Sequence, residues 1–599
     1  MAKELLKREQ VPQEFTWNLA DIYPDISAWE VDVQKLQDMT KDLATMEGIV
    51  CECAWSLLAT LEQNEQIGQL ADLTMNYAGR LSDQDTSDSK HLAMYQKLHS
   101  ILSDINSTLS FIEPEILELD SNTLECFYAE APDLEKYRMQ IAEIQRLKPH
   151  RLSAELEKVM AMTGEMGRTP SQTYSIFNNS DLTFPEMEDE NGETVRITHG
   201  RFIALLQSTD RRVRKEAFEK LYHTYEQYKN TIASLYSGQV KKQIFNAKMR
   251  KYSSTLEAAV DANNVSPTVY DNLIQTVNQN LDKMHRYVSL RKKLLKVDEL
   301  HMYDIYTPMI PDYAQKISYE EAKSTVLKAL APLGEDYIQI LKEGFDNRWI
   351  DVYENVGKRS GAYSAGAYGT HPYVLLNHND TLDNMFTLAH EMGHAIHSYL
   401  SNKTQPFIYA DYKIFVAEVA STCNEVLLME YLLRNTTDKK ERAYLLNHYL
   451  DSFKGTVYRQ TMFAEYERET NRLAEAGESL TADVLSKIYY DLNCKYYGPD
   501  MISDPEIAVE WARIPHFYYN FYVYQYATGF TSAVAIARNI LKNGAPAVGA
   551  YKEFLSSGCT KSPVELLKIA GVNLETPQPI QDALDVLEEI LVEMEGMEL

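Results

Sequence analysis

Most of the chain carries apolar residues three and four positions apart among Glu, Lys and Gln, which is typical of amphipathic helices. The clearest stretches are residues 26–46, 90–112 and 211–232. Prolines and glycines number only 20 and 24 in 599 residues, and most of them fall between such stretches. The pattern predicts a mostly α-helical protein, with residues 1–112 forming an N-terminal helical lobe.

The first departure from this pattern lies in residues 169–200, where turn residues are mixed with short alternating runs. The Asn191-Gly192 pair between two such runs predicts a β-hairpin. We therefore expect residues 113–200 to form a helical segment with a short hairpin. A chain of this length exceeds one compact core, so a separate large domain is expected over residues 201–599.

A second strand-like island covers residues 361–378, with several glycines followed by the run at residues 373–377. Helical periodicity resumes at Thr381, after an Asn-Asp pair that offers further N-cap candidates. This order predicts a small β-sheet placed directly before the helix that begins near Thr381.

The charge balance restricts the possible partners. The chain has 59 basic and 87 acidic residues, a net charge of −28, which repels nucleic-acid phosphates and anionic lipid head groups. Its six cysteines are sparse, as in proteins of a reducing compartment. No apolar run resembles a signal peptide or a membrane span. We therefore expect a cytoplasmic protein that binds neither nucleic acid nor membranes.

The helix after Thr381 contains an H-E-x-x-H motif, formed by His390, Glu391 and His394. Histidines at i and i+4 lie one turn apart on the same helix face, so both imidazoles can bind one metal ion. Zinc acidifies a bound water, and Glu391 is placed to accept its proton as general base.

The same five-residue pattern also occurs by chance in unrelated helices, with histidines that merely pack or face solvent. Here its neighbours are apolar or small, namely Leu388, Ala389, Met392, Gly393, Ala395 and Ile396. Burial of two histidines and a carboxylate without partners is costly, so this context favours a metal site.

A catalytic zinc site of this type needs a third protein ligand. The extended pattern with a third histidine fails, because the positions that it requires hold His397 and Leu400. The predicted helix at residues 411–435 instead offers Glu418 among apolar neighbours. Glu425 follows seven residues later on the same face, where it could orient a ligating imidazole or remain an ordinary surface glutamate.

Several blocks around these motifs together resemble the oligoendopeptidase F group of the thimet-oligopeptidase family of zinc metallopeptidases. They are G-K-R-S-G-A-Y-S from Gly357, H-P-Y-V-L-L-N from His371, F-T-L-A-H-E-M-G-H from Phe386 and F-V-A-E-V-A-S-T-x-N-E from Phe415. The resemblance implies a helical, two-lobed body that encloses a deep substrate channel, with one zinc ion per chain at its floor. It also implies that short unfolded peptides are cleaved, since folded proteins cannot enter.

The resemblance assigns a further role to the strand-like run. In this family the equivalent strand borders the cleft and pairs with an extended substrate, which implies substrate binding by Tyr373, Val374 and Leu375. An ordinary strand within a sheet would show the same pattern of residues.

The tyrosine-rich segment at residues 516–526 has helical length, and four of its side chains are spaced to share one helical face. They are His516, Tyr519, Tyr522 and Tyr526. Such spacing usually marks an aromatic packing stripe. The resemblance implies instead that His516, Tyr519 and Tyr522 donate hydrogen bonds to the oxyanion, with Tyr526 contacting substrate.

The sequence thus predicts a zinc endopeptidase that acts on short peptides. A carboxypeptidase or dipeptidase on the same scaffold is the nearest alternative, but a cationic anchor for the terminal carboxylate is not identifiable. A non-catalytic peptide-binding protein is disfavoured, because it would have no need of Glu391 beside a full ligand set.

Overall fold

The computed structural model describes residues 5–310 and 316–597, and the protein is mostly helical, as the sequence predicts. The helices in the first half of the chain are α1 Ile26–Ala44, α2 Ala54–Gln84, α3 Ser89–Thr108, α4 Ile112–Glu118, α5 Ser121–Glu130, α6 Arg138–Arg146, α7 Ala154–Ile176, α8 His199–Gln207, α9 Arg211–Met249, α10 Thr255–Asp261, α11 Pro267–Gln279 and α12 Leu281–Leu294. Those in the second half are α13 Tyr319–Ala329, α14 Glu335–Asp346, α15 Leu382–Thr404, α16 Phe407–Ala410, α17 Ile414–Asn435, α18 Lys439–Ser452, α19 Arg459–Glu475, α20 Ala482–Tyr497, α21 Tyr524–Asn543, α22 Ala545–Leu555, α23 Pro563–Ile569 and α24 Gln578–Glu595.

The strands of the described residues are short and form three small sheets. They are β1 Glu186–Glu188, β2 Thr194–Arg196, β3 Leu300–His301, β4 Ile350–Asp351, β5 Tyr363–Ala365, β6 Tyr373–Leu375 and β7 Met501–Ile502. β1 and β2 are antiparallel, β3 and β7 are parallel, and the third sheet has the order β4-β6-β5. In that sheet β4 runs parallel to β6 and β5 runs antiparallel to it.

The chain forms two compact units, each built from separate stretches of sequence. The first comprises Met1–Pro149, Ala314–Tyr431 and Ile536–Gly571. The second comprises His150–Tyr313, Leu432–Ala535 and Val572–Leu599. The sequence-based division at residues 112 and 200 stays a prediction.

The hairpin predicted at Asn191-Gly192 is confirmed. Met187 of β1 lies opposite Val195 of β2, and Gly192 adopts a φ of +78° in the connecting turn. A positive φ of this kind is disfavoured for residues with a side chain, which explains the glycine.

The helical region before the hairpin is longer than the sequence predicts. Helix α7 continues through Thr169 and Pro170 to Ile176, and a π-helical turn, Phe177–Asp181, follows it. The Pro170 ring packs against Gly238 of α9, 3.2 Å from the position that a Cβ atom there would occupy. Packing of α7 against α9 therefore maintains the helix through a proline that should end it.

The N-terminal segment completes the sheet of the first unit. The Val352 N–H, just after β4, donates to the Phe15 carbonyl oxygen over 3.0 Å. The Trp17 indole Nε1–H donates to the Val374 carbonyl oxygen over 2.8 Å, and its ring packs against β6. The Arg8 guanidinium donates to the fully buried carboxylate of Asp351. Residues near the start of the chain thus stabilise a sheet formed about 340 residues later.

This sheet lies beside helix α15, because both β5 and β6 pack against that helix. The small sheet that the sequence predicts next to the motif-bearing helix is therefore confirmed. None of the helices within residues 5–310 and 316–597 is both long and apolar enough to cross a membrane.

Candidate active site

Helix α15 begins where the sequence predicts. The Thr381 hydroxyl oxygen accepts a hydrogen bond from the Asn384 backbone N–H over 3.2 Å, which satisfies one free donor of the first turn. The regular helix then places the rings of His390 and His394 with centroids 4.9 Å apart. Both imidazoles therefore face the same side of α15.

Helix α17 crosses α15 at very close range. A Cβ atom on Gly393 would lie 2.6 Å from Ser421 Cα and 2.8 Å from the Ala420 carbonyl oxygen, distances that no side chain tolerates. The glycine between the two histidines is therefore needed for the approach of α17. Sequence reasoning missed this role, although the small residue is visible inside the motif.

A buried amide also joins the two helices. Asn424 Nδ2 donates to the Ala389 carbonyl oxygen over 3.0 Å, directly before the first histidine. The Tyr337 hydroxyl of α14 donates to Asn424 Oδ1 over 3.0 Å. Both polar ends of the amide are thus satisfied, and the register between α15 and α17 is fixed. The sequence offers no signal for this role beyond an asparagine in an apolar helix.

The crossing brings together the three predicted metal ligands. Glu418 Oε2 lies 3.4 Å from His390 Nε2 and 3.5 Å from His394 Nε2. The candidate ligand atoms of the three residues all lie within 4.8 Å of one another. Two imidazoles and one carboxylate are the donor set of a catalytic zinc site that keeps one position open.

Glu425 contacts the other nitrogen of the first histidine. Its Oε1 lies 3.1 Å from His390 Nδ1, so Nδ1 donates to the carboxylate and Nε2 faces the metal side. This arrangement fixes the tautomer and the ring orientation of His390. Of the two predictions for Glu425, the orienting carboxylate agrees with this contact.

The electrostatics of the cluster favour a cation. Burial lowers the pKa of His390, but hydrogen bonds with Glu418 and Glu425 outweigh burial and raise it to about 10. Burial raises the pKa of Glu418, but the two histidines outweigh it and hold that pKa well below its usual range. The three carboxylates of Glu391, Glu418 and Glu425 thus concentrate negative charge around two imidazoles.

Glu391 lies beside these ligand side chains as a buried carboxylate. Its side chain is 6% exposed, and its Oε2 has no hydrogen-bond partner within the described residues. Burial raises its pKa, although His390 and His394 oppose the shift. An unpaired buried carboxylate oxygen is costly unless a ligand satisfies it, so the residues fit a metal ion and its water.

His397 takes no part in this cluster. It is buried, and its ring stacks on Tyr412 with centroids 3.7 Å apart. Burial lowers its pKa to about 3, which keeps the imidazole neutral. His397 is therefore a packed histidine of the protein interior.

The strand role predicted for Tyr373, Val374 and Leu375 needs correction. These residues do form β6, but β6 is the central strand of its sheet and pairs with β4 on one side and β5 on the other. All three side chains are fully buried. Because both backbone edges are already used, β6 cannot pair with a substrate. Within the described sheet the outer strands are β4 and β5, Tyr363–Ala365. Phe15 already accepts a backbone hydrogen bond just after β4, from the Val352 N–H.

The helix predicted at residues 516–526 is also wrong. A 3-10 turn, Pro515–Tyr518, is followed by irregular backbone, and α21 begins only at Tyr524. Asn520 and Phe521 have φ values of +53° and +56°, which a helix excludes.

The four side chains of this segment nevertheless lie together. His516 contacts Tyr519 and Tyr526, with ring centroids 5.6 and 6.1 Å apart. Tyr522 contacts Tyr519 and Tyr526, with centroids 6.5 and 5.4 Å apart. Burial lowers the pKa of His516, which favours its neutral form. These four residues belong to the second unit. The candidate metal ligands His390, His394 and Glu418, called the metal cluster below, belong to the first.

Comparison with known proteins identifies the family. Residues 204–586 match the model of Peptidase family M3, and residues 115–184 match the model named Oligopeptidase F. The chain belongs to peptidase family M3, and the predicted metalloendopeptidase of the oligoendopeptidase F type is confirmed.

Individual relatives agree with this assignment over almost the whole chain. The chain is 48% identical to Oligopeptidase PepF of Bacillus subtilis, covering 100% of this chain and 89% of that protein. It is 40% identical to Group B oligopeptidase PepB of Streptococcus agalactiae, covering 98% of each. The crystal structure of oligoendopeptidase-F from Enterococcus faecium is 40% identical, with a TM-score of 0.75 over 94% of this chain and 98% of that chain.

Proposed function

We propose that the chain is a cytoplasmic, zinc-dependent endopeptidase that hydrolyses short unfolded peptides. His390, His394 and Glu418 hold one zinc ion per chain, and Glu391 is the general base. The observation that carries the proposal is Glu391 itself, a buried carboxylate with an unpaired oxygen beside three converging ligand side chains.

When bound, zinc supplies Lewis acidity, which acidifies water and polarises a carbonyl group. Glu391 accepts the proton of the attacking water and delivers it to the nitrogen of the departing amine. Its burial supports this role, because a raised pKa brings a carboxylate closer to the operating pH. Glu425 holds the His390 ring by Nδ1 throughout.

The cluster of His516, Tyr519 and Tyr522 supplies hydrogen-bond donors for the oxyanion, and Tyr526 contacts the peptide. Its neutral imidazole and phenol hydroxyls are suitable donors, since neither adds a positive charge that would repel zinc. An extended peptide pairs with the outer edge of β5, the strand that packs on α15 and leaves one edge without a neighbouring strand in the described sheet.

Replacement of Glu391 by Gln tests the chemistry. The amide keeps the shape but cannot take the proton, so we expect hydrolysis to fall by about 10²- to 10⁴-fold or more with zinc content unchanged. Zinc is measured by elemental analysis of the same sample. Near-normal turnover in this variant would show that Glu391 is not the general base.

Replacement of Glu418 by Ala tests the metal site. Glu418→Ala should lose zinc, and full metal content in that variant would exclude Glu418 as a ligand.

A peptide blocked at both ends tests the endopeptidase assignment. An endopeptidase cleaves it internally, whereas a carboxypeptidase or dipeptidase leaves it intact.

The same assay with casein tests the restriction to short peptides, because we expect casein to remain uncleaved. Rapid conversion of casein into many fragments would contradict that restriction without touching the chemistry.

A further inference from the structure

The backbone between the Pro515–Tyr518 turn and α21 is strained at its centre. Asn520 and Phe521 are consecutive residues with positive φ, and neither is a glycine. Such a conformation is unfavourable and persists only where the surroundings hold it. Tyr519 and Tyr522 lie on either side of this pair, so its geometry decides where both phenol groups point.

Polar side chains from two helices hold the strained pair. Gln239 and Gln243 of α9 donate through their Nε2 atoms to Asn520 Oδ1, the former over 3.1 Å. Glu467 of α19 accepts the Phe521 backbone N–H at Oε1 over 3.0 Å. The Glu467 contact is the one that reaches the backbone of Phe521.

Glu467 is an unusual residue to find at this place. Its side chain is 1% exposed, and its Oε2 has no hydrogen-bond partner among the residues that the structure describes. Burial raises its pKa to about 8, although the Phe521 N–H opposes the shift. A carboxyl group buried with one unpaired oxygen is unfavourable for stability, which points to a role other than packing.

We propose that Glu467 is a positioning residue, whose carboxyl group fixes the Asn520-Phe521 turn and thereby the direction of Tyr519 and Tyr522. The inference rests on the proposed donor role of those tyrosines. Glu467 itself acts only through the turn.

Hydrogen exchange tests whether Glu467 holds the turn. Glu467→Gln keeps an oxygen acceptor in the same place, whereas Glu467→Leu removes it. In the zinc-loaded protein we expect faster exchange of peptides covering residues 516–526 in the Leu variant, by about tenfold, and wild-type exchange in the Gln variant. Glu465→Leu is the matched control, because Glu465 lies on the same helix and contacts Lys495, Tyr496 and Asn278 instead.

Kinetics test whether the turn matters for catalysis. We expect Glu467→Leu to lower kcat by up to about 10²-fold with KM little changed, and Glu467→Gln to restore it. In a Tyr519→Phe/Tyr522→Phe background, adding Glu467→Leu should cost nothing further. If the Leu variant does not fold, Glu467→Asp provides the test, since it withdraws the acceptor from the Phe521 N–H and keeps a carboxyl group.

Unchanged exchange of residues 516–526 in a folded Glu467→Leu or Glu467→Asp variant would overturn the positioning role. A further loss of kcat in the double-Phe background would also overturn it, because Glu467 would then act elsewhere. Wild-type kcat in the double-Phe variant alone would instead reject the donor role of the tyrosines. In that case the exchange result still decides whether Glu467 positions the turn.

Discussion

The helix pair α15 and α17 and the segment at residues 515–526 bring reactive side chains together in opposite ways. In the pair, regular helical spacing places His390 and His394, and a glycine lets Glu418 approach them. In the segment, His516 and three tyrosines meet although no single helix runs through all four described residues.

The difference lies in what holds each geometry. Backbone hydrogen bonds of two long helices fix the metal cluster, so its geometry follows from local spacing. The segment instead depends on side chains from α9 and α19 that hold an unfavourable backbone conformation. We therefore expect the geometry of the helix pair to be disrupted by an added side-chain atom at the crossing. The geometry of the segment should instead be disrupted by the loss of single hydrogen bonds.

Apart from the loss of Glu391 or of a metal ligand, the largest effect should come from the hydrogen-bond donors of the segment. We expect Tyr519→Phe, Tyr522→Phe or His516→Gln to lower kcat by roughly 10²- to 10³-fold, because an oxyanion donor is lost. KM and zinc content should change little, which is checked with saturating peptide and elemental analysis. If all three variants keep wild-type kcat, the cluster is aromatic packing and the donors lie elsewhere.

Apart from the candidate ligands and Glu391, the crossing of α15 and α17 should be the most sensitive point of the site. We expect Gly393→Ala to lower zinc affinity and activity together by about 10²-fold, because the new methyl group forces α17 away from α15. Zinc affinity is measured by competition with a chelator. Gly549→Ala in α22 is the matched control, since its methyl group meets nothing within 4 Å. Equal affinity in both variants would contradict the steric argument.

Loss of the carboxylate that orients His390 should have a smaller effect. We expect Glu425→Ala to reduce zinc affinity or activity by about 10- to 100-fold, since the imidazole keeps its place but loses its acceptor. Glu430→Ala on the same helix is the control, because Glu430 pairs with Arg538. The two variants are compared by chelator competition, and an unchanged zinc affinity and kcat in Glu425→Ala would return Glu425 to an ordinary surface role.

The last expected effect is on stability rather than on activity, and it concerns the pH dependence of the buried carboxyl group of the second region. Burial raises the folded-state pKa of Glu467 from 4.5 to about 8, so the protonated form is favoured in the folded protein. Its contribution to stability is therefore complete below pH 4.5 and is lost as the pH rises toward 8, by at most about 1.4 kcal/mol per pH unit. Glu467→Gln should flatten that part of the profile, as measured by chemical denaturation. Identical profiles would contradict the raised pKa.

Much of the metal cluster was predictable because its residues are recognised from their neighbours and spacing within two short stretches of sequence. The i, i+4 histidines, Glu391 between them and Glu418 in an apolar setting are all visible in the sequence of two predicted helices. The contribution of Asn424 was not predictable, because its partners Ala389 and Tyr337 are distant in sequence. The central position of β6 likewise depends on β4 and β5, which a single strand pattern does not reveal.

For the tyrosine segment, residues 516–526, the sequence predicted the grouping of the side chains but not the backbone conformation. Spacing correctly grouped its side chains but gave the wrong backbone, because i, i+3 and i+7 positions can also meet across an irregular turn. The positive φ values of Asn520 and Phe521 are imposed by Gln239 and Glu467, far away in sequence. The spacing of these residues alone suggests a helix there, and tertiary contacts override it.

The contacts of Phe15 and Trp17 with the sheet beside α15 also determine when this sheet can be completed during translation. During synthesis, Trp17 can form its hydrogen bond only after Val374 has been translated, 357 residues later in sequence. At ordinary rates of translation, that interval lasts about 20 to 70 seconds. During this time the indole ring of Trp17, which is 4% exposed in the finished protein, lacks its final partner. The sheet next to α15 is therefore completed late, when more than half of the chain has already left the ribosome.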